Sequence, residues 1–203
     1  MNLPLQNIAE ISMGYPFRSR LERDRTADVA VIQMKDIDEA NLVRTEDLDR
    51  TSIPNFKDHY LIRANDLIFR SRGQTNTVAL VAADPGRAVL AAPMMMIRVT
   101  TPKVLPAYLN WFINQPTTQA RLTRVLEGTS VKMISKATLE KLEVSVPSVQ
   151  KQRYVIELAA LSSKEQQLMR ELNQLRKTYI EGILMHYAQD ARREPGKGGG
   201  RSA

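Results

Sequence analysis

Cysteine is absent from the 203 residues, and histidine occurs only as His59 and His186. Disulfides and thiolate metal sites are therefore excluded, and a zinc site or a Ser-His-Asp triad has almost no material to draw on. The nine glycines form neither a Gly-x-x-x-x-Gly-Lys-Ser/Thr loop nor a Gly-x-Gly-x-x-Gly turn, so no nucleotide or adenosylmethionine cradle is legible. Nowhere do about 18 apolar residues run together, as a membrane span requires. Met1 to Glu10 lacks the basic and apolar regions of a secretory signal. The expectation is a soluble, cytoplasmic, non-catalytic protein with no cofactor, no metal and no membrane contact. An internal repeat is also missing.

The chain carries 43% apolar residues, ordinary for a globular protein, and a net charge of +7 with a pI near 9.8. Such a balance favours a polyanionic partner, and its distribution says more than its size. Asp36 to Asp58 holds 7 acidic and 3 basic residues, whereas Tyr60 to Lys136 holds 10 basic and 3 acidic. One side of the molecule is thus expected to face phosphates.

Residues 1–147 read as a mixed α+β body. Leu5 to Met13 carries alternating or helical apolar positions ending at Gly14. Val29 to Met34 reads as a buried strand closed by the Asp36-Ile37-Asp38 turn. Tyr60 to Arg70 reads as a strand, a tight turn at Ala64-Asn65-Asp66, and a second strand at Leu67-Ile68-Phe69. Val78 to Ala83 and Val89 to Val99 are β-rich runs, and the intervening Asp84-Pro85-Gly86 is a hairpin signal. Helical spacing follows Pro106, with Tyr108, Leu109, Phe112 and Ile113 on one face. Pro116 ends or interrupts that helix, and Ala120 to Leu126 resumes it. Gly128-Thr129-Ser130 reads as a loop, Ser135 to Leu142 as a short helix, and Val144 to Val146 as a strand.

From Ser148 to Asp190 there is no proline and no glycine but Gly182. With Ser148 as N-cap, a helix of about 40 residues would run about 60 Å. Leu158, Leu161, Leu168, Leu172, Leu175 and Tyr179 follow a 3-4 spacing in which Glu165 is the one polar member. That heptad-like stripe predicts a coiled-coil partner, hence a homodimer. Packing on the flank of the domain is the plainer alternative, and Ser162-Ser163-Lys164-Glu165 offers a break into two shorter helices. The segment 191–203, with Gly198-Gly199-Gly200, reads as a disordered tail.

Three polar loops can approach DNA. Gly14-Tyr15-Pro16-Phe17-Arg18-Ser19-Arg20 sets two arginines beside an aromatic pair. Arg70-Ser71-Arg72-Gly73-Gln74-Thr75-Asn76 follows a strand, and Thr129-Ser130-Val131-Lys132 follows the helices. Arginine grips a guanine edge or a phosphate with its planar fork, and glutamine or asparagine can bond adenine in a bidentate manner. Each loop alone reads equally well as a solvated hairpin. The DNA-facing candidates are Arg18, Arg20, Arg70, Arg72, Gln74, Asn76, Ser130 and Lys132. Asp36, Asp38 and Glu39 superficially resemble a fragment of a metal nuclease; a solvated acidic turn explains them more simply.

The order of these segments is more specific than any one of them. Gly14-Tyr15-Pro16-Phe17 precedes Val31 to Ile37, then Asn65 to Gly73, Tyr108 to Asn114, Gly128 to Val131, Val144 to Pro147, and Gln152 at the head of the long helix. This succession resembles the target-recognition domain of type I restriction-modification specificity (S) subunits over roughly Leu5 to Tyr187. The resemblance implies a double-stranded DNA reader that directs adenine methylation by a modification (methyltransferase) subunit and cleavage by a restriction/translocase subunit. Full members of that family carry two recognition domains with antiparallel spacer helices, whereas this sequence has one such unit. The implied form is a half-length subunit that dimerises through residues 148–190 to read an interrupted palindrome. A coiled-coil adaptor whose basic body binds an acidic protein is the reading from another class.

Overall fold

A computed structural model of the chain describes residues 1–17, 24, 26–54, 57–72, 76–124 and 133–190. In chain order, the strands of the body are β1 (Asn2–Pro4), β2 (Ala9–Met13), β3 (Val29–Ile32), β4 (Asp49–Thr51), β5 (Leu67–Phe69), β6 (Val78–Leu80), β7 (Ala88–Leu90) and β8 (Met95–Val99). Three helices follow, α1 (Pro106–Ile113), α2 (Pro116–Arg124) and α3 (Lys136–Glu140), then β9 (Glu143–Ser145) and the long α4 (Val149–Asp190). The fold class is α+β with a long C-terminal helix, as the sequence predicts.

Two sheets and a helical layer stack through period-2 alternation. The first sheet is antiparallel, in the order β2-β8-β5-β6; the second is mixed, β4-β3-β7, with β3 and β7 parallel. On β5, Leu67 and Phe69 turn toward Leu109, Ile113 and Leu139 of the helices, while Ile68 turns toward the second sheet. On β3, Ala30 and Ile32 face the first sheet, and Val29 and Val31 face outward under Tyr15, Phe17 and Tyr60. Strands covered on both faces have no need of polar positions, which is why Val29–Ile32 and Leu67–Phe69 are continuously apolar.

Two strand expectations fail. Val78–Leu80 and Ala88–Leu90 are not hairpin partners: β6 pairs with β5 and β7 with β3, so Asp84-Pro85-Gly86 carries the chain from one sheet to the other. Gly86 adopts φ +69°, the left-handed conformation that made the hairpin signal, yet the same turn serves a crossing as well. Tyr60 to Arg63 is not a strand. It holds the end of a 3-10 turn (Asp58–Tyr60) and a single bridge from Leu61 to Val89. The turn before β5 is as expected, with Asn65 at φ 72°. Of the two readings of Pro116, the end of a helix holds: α1 stops at Ile113 and Pro116 is the first residue of a new helix.

The chain divides into two compact units, the first ending at Ile156 and the second beginning at Glu157. Residues 149–156 of α4 belong to the first unit. There Gln152 is fully buried, and the Tyr108 hydroxyl donates to Ser145 O at 2.7 Å. The second unit contains the rest of α4, unbroken through Ser162 to Glu165. No helix among the described residues is long and apolar enough to cross a membrane. The expected tail at 191–203 lies outside the described residues.

Candidate nucleic-acid interface

The register of the first sheet sets Met13, Met95, Phe69 and Val78 in one row across it. The described segments that leave this row are 14–17 after β2, 70–72 after β5, 76–77 before β6, and 91–94 before β8. They therefore gather at one end of the sheet, and the 91–94 turn joins them. Gly14 N–H donates to Met94 O at 2.9 Å, Ala92 N–H to Tyr15 O at 3.0 Å, and Ser71 Oγ to Pro93 O at 2.5 Å. A β-carbon on Gly14 would lie 2.7 Å from Leu90 O and 2.8 Å from Ala91 C, so this approach requires glycine. On the far side Ile134 N–H donates to Ser71 O at 3.1 Å, and Arg72 bridges to Met133. Met133 and Ile134 thereby lie beside Arg72 and Ser71.

The candidate side chains at this end differ in role. Arg72 is exposed. Arg70 is half-buried and donates from Nη2 to Ile37 O at 3.2 Å. Asn76 is only 6% exposed, and its Nδ2 donates to Arg70 O at 3.1 Å, inside the loop rather than outward. Arg18, Arg20, Gln74, Ser130 and Lys132 lie outside the described residues. Sequence reasoning passed over α2, whose Gln119 Nε2 donates to Asn76 O at 3.1 Å and Ile113 O at 2.7 Å. It also passed over the exposed Arg121 and Arg124 in the last turn of α2. Cations there suit the negative end of the helix, and Arg121 lines a small cavity with Asn2, Glu143 and Ser145.

The acidic stretch lies on the other sheet. Asp47 and Asp49 line a cavity of about 720 Å³ together with Asp24, Arg50 and Pro85. Asp49 Oδ2 accepts from Lys35 Nζ at 2.6 Å and Gln33 Nε2 at 2.8 Å. Asp36 Oδ2 accepts from Gln33 N–H at 2.8 Å, and Asp38 Oδ1 from Leu42 N–H at 2.9 Å. Burial pushes the Asp36 carboxyl above its usual range, against the Gln33 hydrogen bond and the Lys35 charge. These carboxylates shape turns, and no three metal-binding side chains cluster among the described residues.

Along α4 the expected seam is exposed: Leu158, Leu161, Leu168, Leu172, Leu175 and Tyr179 are 40–71% accessible. Met169, Ile180, Ile183, Leu184 and Tyr187 are exposed as well. They stand one or four residues on from the seam or from each other, so the apolar surface broadens toward the C-terminal end.

An α+β body with polar loops gathered at one sheet end, and a long helix with an exposed apolar stripe, is the architecture of a recognition module. The family model described as "Type I restriction modification DNA specificity domain" matches residues 2–175, and the chain belongs to that family, whose members recognise DNA and do not catalyse. Solved structures agree in fold. An HsdS subunit from Thermoanaerobacter tengcongensis is 16% identical with a TM-score of 0.55, covering 82% of this chain and 37% of that one. A chain from a structure on complex assembly and conformational transition of the type I R-M system gives a TM-score of 0.64 at 16% identity, covering 93% and 44%. The type I S subunit from M. genitalium gives 0.53 at 14%, covering 91% and 44%. This chain thus spans less than half the length of the chains it matches. No curated protein matches it.

Proposed function

We propose that this chain acts as a type I specificity unit whose one recognition domain reads one half of a split double-stranded DNA target. Residues 1–147 form the recognition domain and 148–190 the pairing and spacing helix, so that a homodimer presents two identical readers. The complex directs adenine methylation by a modification subunit and cleavage by a restriction/translocase subunit. The observation that supports this reading is the convergence of residues 14–17, 70–72 and 133–134 at one end of the first sheet. A single small reader gains about 1–3 kcal/mol per base pair recognised, too little to select one site among very many. Doubling it on a rigid spacer multiplies the specificity and fixes the gap between half-sites.

The test is selection from a pool of random duplexes at fixed salt, with affinity then followed as salt rises. An interrupted palindrome should be enriched, with a steep linear fall of log affinity against log salt. Equal binding of random and selected duplexes at every salt concentration would sink the assignment.

A further inference from the structure

From Leu161 to Gln189 every residue of α4 is exposed, so the chain itself covers none of the apolar seam along that length. A seven-residue period puts Leu158, Glu165, Leu172 and Tyr179 at one seam position and Leu161, Leu168 and Leu175 at the other. Lys164 and Glu171 flank the seam on one edge, and Met169 and Arg176 on the opposite edge. Glu171 accepts from the neutral Gln167 Nε2 at 2.8 Å.

Few arrangements of two such helices satisfy both the seam and its edges. In a parallel pair in register, each layer sets a residue against itself, so Glu165 faces the partner's Glu165 inside the seam. Like charges facing there cost far more than an exposed edge pair, Glu171 with the partner's Arg176, contributes. In an antiparallel pair the two seam positions meet each other, and the edge that carries Lys164 and Glu171 meets its own copy. Two of the possible slides set Lys164 against the partner's Lys164, or Glu171 against the partner's Glu171. The register between them avoids both. Leu158 then meets the partner's Leu175, Leu161 the partner's Leu172, and Glu165 the partner's Leu168. Lys164 stands beside the partner's Glu171.

We propose that α4 pairs with a second copy of this chain in that register, its two-fold axis level with Gln166 and Gln167. Two symmetric ion pairs, each Lys164 with the partner's Glu171, select it. This rests on the homodimer of the reading above and names the residues that set its geometry. The register also fixes a length. Ile156, where the first unit ends, lies level with the partner's Lys177. The two Ile156 residues therefore stand roughly 32 Å apart along the helix axis, at 1.5 Å per residue. A slide of one heptad would change that separation by about 10 Å.

The chain has no cysteine, so an introduced thiol is the only one that can react. Leu161→Cys and Leu172→Cys are each expressed alone and then together, oxidised mildly, and resolved by non-reducing electrophoresis. The co-expressed pair should give a covalent dimer, and neither variant alone should cross-link. Cross-linking of Leu161→Cys to itself would mean a parallel pair and overturns the proposal. A co-expressed pair that stays uncross-linked while light scattering shows a dimer overturns it as well. A wild-type chain that is monomeric by light scattering overturns the homodimer instead. Should the cysteine variants come apart, the edge charges decide by sedimentation. Lys164→Glu should weaken the dimer about tenfold, and adding Glu171→Lys should restore it. A double variant no tighter than the single one overturns the register.

Discussion

Gln152 accepts the backbone N–H of Leu105 through Oε1 at 2.9 Å. Its Nε2 donates to Lys103 O and Pro147 O, both at 2.8 Å, so one buried carboxamide holds the loop before α1 and the chain entering α4. Gln152→Met takes the hydrogen-bond partner from one backbone N–H and two carbonyls. The expected loss is about 2–3 kcal/mol, seen as a lower urea midpoint with an unchanged slope.

At the end of the first sheet away from the loops, Arg98 grips Asp66 with Nε to Oδ1 at 2.8 Å and Nη2 to Oδ2 at 2.6 Å. Asp66 is 2% exposed and also accepts from Arg63 N–H. The Asp66 contact holds the Arg98 guanidinium still more firmly charged than usual. Asp66→Asn leaves that charge without its carboxylate and should cost about 3 kcal/mol in denaturant titrations. Relative affinities for different duplexes should stay as they were.

Asp36 gives a pH prediction. Burial raises its folded-state pKa above the unfolded value of about 3.9, so the folded protein binds the proton more tightly. Stability should therefore fall as pH rises from the unfolded value through the raised one, and the deficit persists at neutral pH. Asp36→Asn can still accept the Gln33 N–H and does not ionise. Its stability relative to wild type should rise across that window; a flat difference between acid and neutral pH would refute the account.

Arg72→Ala should cost about 1–3 kcal/mol of binding to the preferred duplex and relax preference at one base pair if the guanidinium reads a base. If it touches a phosphate, binding should weaken uniformly and the salt slope should shrink by about one unit. Unchanged affinity and preference together would remove this loop from the interface.

Leu168 and Leu172 stand 50% and 40% exposed on the seam of α4. Changing both to Glu should convert a dimer to a monomer by light scattering. The unit ending at Ile156 should keep its melting transition.

Much of the body was legible because its signals are local. The apolar run at Val29–Ile32 and the proline-led α1 needed no knowledge of their partners, nor did α4 with its uninterrupted pattern. What stayed hidden was partnership at long range. The Val78 and Val89 runs look alike, and nothing in a buried strand tells which sheet it joins, so a turn that crosses between sheets read as a hairpin. Gln119 was invisible for a related reason. A glutamine on a helix carries no signature until the fold sets Asn76 beside it, 43 residues away in sequence.

The row Met13–Met95–Phe69–Val78 is also a frontier between two regimes of substitution. On one side, side chains packed between layers tolerate little change of volume. On the other, exposed tips such as Arg72 can be replaced at small cost to folding. On the proposed reading, new target sequences can be explored by exchanging tip residues while the scaffold stands still.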